Sequence, residues 1–402
     1  MIDRLIDACM HACIQVGTVT SWPCLLALAA TWDRRLTHTF ADALGNEFRI
    51  KGANVLLGPS VNVHRVARNG RNAEYLSGEE PALGVELTRE YVAGVQGRGI
   101  AAVVKHFIAN NQETDRFTTS ARVSQRTLFE VYYPPFESAI EAGVASVMCA
   151  YNKVNGSYAC GNSGMLDGHL RRRLGFAGWV MSDWWAVHSS GAASGGVDQD
   201  MPGTDGHFDL WRLEALPGEQ LDKMATRVLR GMLAVGALDE DVCTAGCDCE
   251  PYMYGANATS SSHVSLARTI GAQSAVLLKN DERTLPIAPS SIVAIVGSAC
   301  DAPHSIDPES DAWDVGDYYV VGGSGRVISD RALSIRQGLA RVSGLTIRFS
   351  GSDNIGEARR VAAGADVLLA CGSGVTQEMT DRSTLRLDQH DFLVQLSEAD
   401  GL

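Results

Sequence analysis

Gly178-Trp179-Val180-Met181-Ser182-Asp183-Trp184-Trp185 is an apolar run that ends on an acid flanked by two indoles. Read as a strand, it delivers a carboxylate to its own C-terminal end. Short apolar runs of the same kind occupy residues 54–58, 100–104 and 144–150. Lys105 and His106 follow the second of these, and Tyr151 follows the third. Amphipathic stretches of helical length lie at 82–96 and 124–142. Strands that alternate with such stretches predict βα units around a parallel sheet. In a barrel of these units the C-terminal strand ends form the active-site face.

The remainder of the 402 residues predicts a second, smaller unit. Residues 215–238 read as a helix ending near Gly236. The Cys-, Gly- and Ser-rich segment from Cys243 to Ser262 has no periodicity and reads as a linker. The expected boundaries are therefore 1–240, 241–262 and 263–402. Within the last unit, 267–275 reads as helix, 276–279 as a short strand, and 292–296 and 367–370 as buried strands.

Composition is that of globular cores, at 45% hydrophobic and 20% charged residues. A net charge of −13 argues against a nucleic-acid partner, whereas a neutral sugar would be indifferent to it. No apolar run approaches the roughly 20 residues that span a bilayer, so no membrane partner is expected. Asp3 and Asp7 interrupt the apolar patches of the first 30 residues, which do not read as a secretory leader. No Walker loop, dinucleotide fingerprint or HExxH motif occurs, and Gly322-Gly323-Ser324-Gly325 fits none of those spacings. Neither a cofactor nor a metal is expected. Of ten cysteines, Cys243, Cys247 and Cys249 lack a second CxxC pair or a nearby His, which favours disulfides over zinc. Cys149 and Cys160 flank a short loop and could pair. Disulfides, with the sequons at Asn155 and Asn257, are compatible with secretion.

The chemistry-bearing residues sit on the strand ends. A carboxylate at Asp183 can attack an anomeric carbon while the neighbouring rings stack on a sugar face. The alternative is an acid capping the next helix. Lys105 and His106 could donate to sugar hydroxyls, or be a salt-bridged lysine and a satisfied core histidine. Arg116, and Arg71 in Gly70-Arg71-Asn72-Ala73-Glu74, gain meaning only if they converge on the same face.

These motifs, in this order, resemble glycoside hydrolase family 3, its β-glucosidases in particular. The match begins at Ser21-Trp22-Pro23 and Thr31-Trp32-Asp33. It continues through Leu57-Gly58-Pro59, Gly70–Glu74, Lys105-His106-Phe107, Asn111-Gln112-Glu113-Thr114-Asp115-Arg116 and Met148-Cys149-Ala150-Tyr151-Asn152, and reaches Ser182-Asp183-Trp184 and Asp200-Met201-Pro202-Gly203. In the second unit, Ala275–Asn280, Gly316-Asp317-Tyr318, Gly322–Gly325 and Gln377-Glu378-Met379-Thr380-Asp381-Arg382 extend it. The resemblance implies an α/β fold: a (β/α)8 TIM-like barrel followed by an α/β sandwich domain. It also implies a retaining, exo-acting β-glucosidase. Asp183 would be the nucleophile, with Glu378 as general acid/base. Arg71, Lys105, His106, Arg116 and Tyr151 would hold the terminal sugar, Met148 and Trp184 would shape its subsite, and Ser324 would reach it from the second domain. A secreted or vacuolar protein is the family habit.

Two departures qualify this. The Asp-Gly-Pro-type motif whose Asp binds the sugar is missing ahead of Ser21, so the first barrel strands read as absent or replaced. The second domain stops soon after Glu378, so the sandwich reads as incomplete. The polypeptide 1–402 by itself is expected to be poorly active. The competing readings are a β-xylosidase or other activity of the family, and an inactive sugar-binding remnant. Oligomeric state is not readable.

Overall fold

The computed structural model describes residues 18–237, 251–307, 312–329 and 331–399. The chain divides into two compact units, Met1–Ala275 and Val276–Leu402.

In the first unit the chain runs α1 (Leu25–Ala30), α2 (Arg34–Ile50), β1 (Val55–Leu56), α3 (Pro81–Gln96), β2 (Ala101–Phe107), α4 (Pro134–Glu141), β3 (Ser146–Cys149), β4 (Trp179–Ser182), α5 (Gly218–Ala234) and α6 (Ser261–Gln273). The strands pair in the order β1-β2-β3-β4, every pair parallel. The helical segment Gly164–Arg173 makes the crossover from β3 to β4. These are consecutive βα units of the expected barrel. Among the described residues the sheet has four strands, with further parallel bridges between Ser60 and Lys105 and between Met181 and Gln199.

Both sheet faces are covered, as a parallel sheet requires. All seven residues of β2 are buried. Alternation sends Ala102, Val104, Val147 and Val180 outward against Leu87, Tyr91, Val95 and Phe136 of the helices. Ala101, Val103, Met148, Trp179 and Met181 line the inner face with Val235. Helix α2 is capped by Asp33, whose Oδ1 accepts the Leu36 amide at 3.0 Å. It packs so closely on α3 that a Cβ at Gly94 would lie 2.7 Å from Ala41 Cβ. The amphipathic stretch 124–142 is divided before Pro134, which starts α4 at a position where a missing N–H costs nothing.

A small sheet stands at the C-terminal side of β3. Lys153–Val154 and Ser157–Tyr158 form a hairpin, and Ser120–Ala121 pairs parallel to its first strand. Its turn is Asn155-Gly156, both at positive φ (49° and 93°), the Asn-Gly preference of a two-residue hairpin. The Asn155 amide is engaged with both backbone groups of Val123. A Cys149–Cys160 disulfide ties the end of β3 to this hairpin, the pairing that the sequence allowed. Cys243, Cys247 and Cys249 lie outside the described residues.

The unit boundary differs from the expected start at His263. Helix α6 belongs to the first unit: its Ile270 is fully buried there, and His263 Nδ1 lies 2.7 Å from Glu47 Oε1. Ser260 caps α6, so the Ser-rich end of the presumed linker is a helix start.

The second unit holds β5 (Ile292–Val296), β6 (Thr346–Ser350), α7 (Ile355–Ala362), β7 (Val367–Ala370) and α8 (His390–Ser397). Its parallel sheet has the order β7-β5-β6. Ala294 and Val296 pack against Ala358, Val361, Phe392 and Leu396. Val293 and Ile295 face the other way, against a cluster containing the disulfide pair Cys300–Cys371. The strand expected at 276–279 does not form: Val276, Leu277 and Leu278 pair with no strand among the described residues, and Leu278 is 91% exposed.

Candidate active site

The parallel strands bring their polar termini to one edge of the sheet. Lys105 and His106 end β2, Tyr151 lies two residues past β3, and Asp183 follows β4 directly. Arg71 and Arg116 come from the loops after β1 and β2. All six side chains are buried, with Asp183 at 6% exposure and His106 at 1%. The Asp183 amide donates to the Cys149 carbonyl at 3.2 Å, which fixes the acid to the neighbouring strand. Its Oδ1 accepts the Trp184 amide at 2.9 Å. Its Oδ2 lies 3.6 Å from His106 Nε2. Met148 and Trp184 belong to the apolar cluster on the inner sheet face.

Charges buried this deeply need counter-charges. Glu74 supplies one. Its carboxylate accepts from Arg71 Nε at 2.7 Å, Arg71 Nη2 at 2.9 Å, Lys105 Nζ at 3.0 Å and Ser60 Oγ at 3.0 Å. Burial opposes ionisation of Glu74, but Arg71 and Lys105 outweigh it and hold its carboxyl well below the usual range. Glu113 partners Arg116 at 2.7 Å. The Arg116 guanidinium also lies over the Tyr151 ring, 4.4 Å from its centroid. Burial, with Arg71 and Lys105 close by, pushes the His106 imidazole well below its ordinary value, so it stays neutral.

Glu74 and Glu113 are the charge partners of these basic residues, and sequence reading passed over them. Each sits three residues from its arginine, within the motifs quoted above, and that spacing places both on one side of a turn. Asn62 and Tyr75 were also missed. Asn62 clamps the His106 backbone, donating to its carbonyl at 3.0 Å and accepting its amide at 2.7 Å. The Tyr75 hydroxyl lies 3.2 Å from His106 Nδ1.

A second feature near β4 is Asp200, whose Oδ1 accepts from Ser182 Oγ at 3.4 Å. Burial and the adjoining Asp205 carboxyl push Asp200 up to about 7.

In the second unit Glu378 is 5% exposed. Its Oε2 accepts both the amide and the hydroxyl of Ser324, at 3.1 and 2.9 Å. Its own amide donates to Gly322 O at 3.0 Å. Gly323, between them, has φ 138°, a conformation that glycine alone adopts freely, and a Cβ there would meet the Glu378 side chain at 3.0 Å. The Gly-rich loop is thus shaped to hold this carboxylate.

Comparison with known proteins identifies the family. The sequence profile of the glycosyl hydrolase family 3 N-terminal domain matches residues 7–201, and that of the family 3 C-terminal domain matches 275–400. A beta-glucosidase of Rhizobium radiobacter is 41% identical over 293 residues, covering 70% of this chain and 34% of its own length. A probable beta-glucosidase L of Aspergillus terreus is 38% identical, covering 70% of this chain and 40% of its own. The crystal structure of a beta-D-glucoside glucohydrolase from Trichoderma reesei superposes with a TM-score of 0.85 at 30% identity, over 96% of this chain and 57% of that one. The chain therefore spans between about a third and somewhat over half of the proteins it matches. On its strand-end carboxylate, its basic loops and these matches, the chain belongs to glycoside hydrolase family 3.

Proposed function

We propose that the protein is a retaining, exo-acting β-glucosidase that releases glucose from the non-reducing ends of β-glucosides and cello-oligosaccharides. The observation that carries this reading is the charge arrangement at the strand ends. Arg71, Lys105 and Arg116 supply three positive charges, and Glu74 and Glu113 offset two of them. A carboxylate at Asp183 adds a third negative charge beside them. An acid held at a strand end beside a neutral imidazole, with Met148 and Trp184 in the apolar cluster of the same sheet face, suits nucleophilic attack on an anomeric carbon. The names of the relatives support a glucoside substrate.

In the proposed cycle, Glu378 gives its proton to the leaving oxygen as Asp183 forms a bond to the anomeric carbon. The product is a glycosyl ester on Asp183. Glu378, now ionised, takes a proton from water, and the resulting hydroxide displaces Asp183. Arg71, Lys105, His106, Arg116 and Tyr151 hold the terminal sugar, with Met148 and Trp184 shaping its subsite. The two Ser324 donors on Glu378 Oε2 support a fixed orientation for the acid/base. The Cys149–Cys160 and Cys300–Cys371 disulfides support an oxidising compartment, extracellular or vacuolar. Among the described residues no helix is long and apolar enough to cross a membrane.

A 2-deoxy-2-fluoro β-glucoside with a good leaving group tests the mechanism. Mass spectrometry is expected to find a glycosyl adduct on the peptide carrying Asp183. Aryl glucoside cleavage with no adduct on Asp183 would overturn the assignment. Faster turnover of aryl β-xyloside than of aryl β-glucoside would transfer it to a β-xylosidase.

A further inference from the structure

A neutral imidazole carries one proton, on Nδ1 or on Nε2, and the two forms offer opposite chemistry to their surroundings. The nitrogens of His106 face different groups. Nε2 lies 3.6 Å from Asp183 Oδ2, and Nδ1 lies 3.2 Å from the Tyr75 hydroxyl. A lone pair on Nε2 would point at a carboxylate oxygen and be repelled. An N–H at that position is attracted. With the proton on Nε2, Nδ1 becomes an acceptor and the Tyr75 hydroxyl its donor. Among the described residues that hydroxyl also reaches the Asn110 carbonyl, at 3.5 Å and so at the edge of hydrogen-bonding range. Nδ1 is the better acceptor. Tyr75 is only 1% exposed, and burial pushes its phenol well above its ordinary value, so the hydroxyl keeps its proton. The rings meet edge to face with centroids 5.8 Å apart, and the imidazole is only 1% exposed.

We propose that Tyr75 is a positioning residue that fixes His106 in its Nε2–H form, so that one N–H points toward Asp183 and the sugar hydroxyl bound beside it. The 3.6 Å gap is too long for a hydrogen bond to the acid itself. The donor is therefore left for substrate. Asn62 completes the arrangement by holding the His106 backbone from both sides. What His106 does for the sugar rests on the glycosidase reading, whereas the proton's position rests on the burial of His106 and the groups that face its two nitrogens.

The test uses the purified, ¹⁵N-labelled protein and a long-range ¹H–¹⁵N spectrum of its histidines, with His106→Gln identifying the signals. Wild type is expected to show a protonated-type shift at His106 Nε2 and an unprotonated-type shift at Nδ1. In Tyr75→Phe, which keeps the ring and its packing, the Nδ1 shift should move as its donor is lost. The kcat on an aryl glucoside should fall about 10-fold, with KM changing by less. A protonated Nδ1 in wild type would overturn the inference without any variant. So would a Tyr75→Phe protein with unchanged Nδ1 shift and unchanged kcat. Failure of the parent reading is visible separately, as an unmodified Asp183 after treatment with the fluoroglucoside while the nitrogen shifts remain readable.

Discussion

Replacing Glu74 by Gln keeps its shape and removes its charge, which isolates the electrostatic role of the carboxylate beneath the site. In the native protein it meets Arg71, only 3% exposed in its side chain, and Lys105, at 11%, while a quarter of its own side chain reaches solvent. Breaking a fully buried pair from one side costs about 3–5 kcal/mol, and an exposed pair contributes about 0–1 kcal/mol. The mixed exposure here places the loss at about 2–4 kcal/mol. For a unit of this size that lowers Tm by about 5–15 °C near pH 7. The pH dependence supplies a second check. Because the folded state holds the Glu74 carboxyl well below its usual value, the stabilisation is present above the unfolded value of about 4.3. It is lost as pH falls through the lower, folded value. Thermal or denaturant unfolding of wild type and Glu74→Gln should therefore differ at pH 7 and converge as the medium becomes strongly acidic. A difference below about 0.5 kcal/mol at pH 7, or a gap that widens on acidification, would refute the reasoning.

Four further outcomes are expected. Asp183→Gly should lower kcat on an aryl β-glucoside by at least about 10³-fold, with azide restoring part of the turnover as glucosyl azide; unaltered turnover would remove Asp183 from the mechanism. Glu378→Ala should slow hydrolysis far more for glucosides with poor leaving groups than for nitrophenyl glucosides, a ratio read directly from kcat/KM. Cys160→Ser opens a crosslink between residues 11 apart, and should lower unfolding free energy by about 3 kcal/mol in denaturant titrations. Asp200→Asn should be more stable than wild type above pH 7 and lose that advantage on acidification. The native carboxyl, pushed up to about 7, prefers its proton when folded, so its contribution fades as pH rises through that value.

Much of the fold was legible because four apolar runs stand out, three of them ending abruptly on polar residues, and all four became β1 to β4. Thr346–Ser350 was not legible: Arg348 interrupts it and only its last residue is buried, so it lacks the continuous apolar run that marked β5. Val276–Lys279 misled in the opposite sense, since β-branched and aliphatic residues make a strand only when a partner lies alongside. The start at His263 misled because serines that read as linker also cap helices, and Ser260 does so for α6. In the first unit, the residues expected to touch sugar converge on one sheet edge. Their supporting anions escaped notice for a physical reason. A search for groups that bind a neutral ligand selects donors, whereas burying those donors obliges the fold to supply Glu74 and Glu113 as well.

Helix α6 has a practical consequence for anyone dividing this protein. The chain ends its last barrel helix, α5, at Ala234, yet returns some 25 residues later to lay α6 against the beginning of the unit. There His263 and Thr20 share the Glu47 carboxylate, which is 3% exposed, and the Trp22 ring lies 5.6 Å from that of His263. A truncation at the end of α5 would strand this acid with half of its partners and uncover the seat of Ile270. A fragment meant to stand for the first unit should instead run through Ala275, so that the strap which closes the unit's opening residues travels with them.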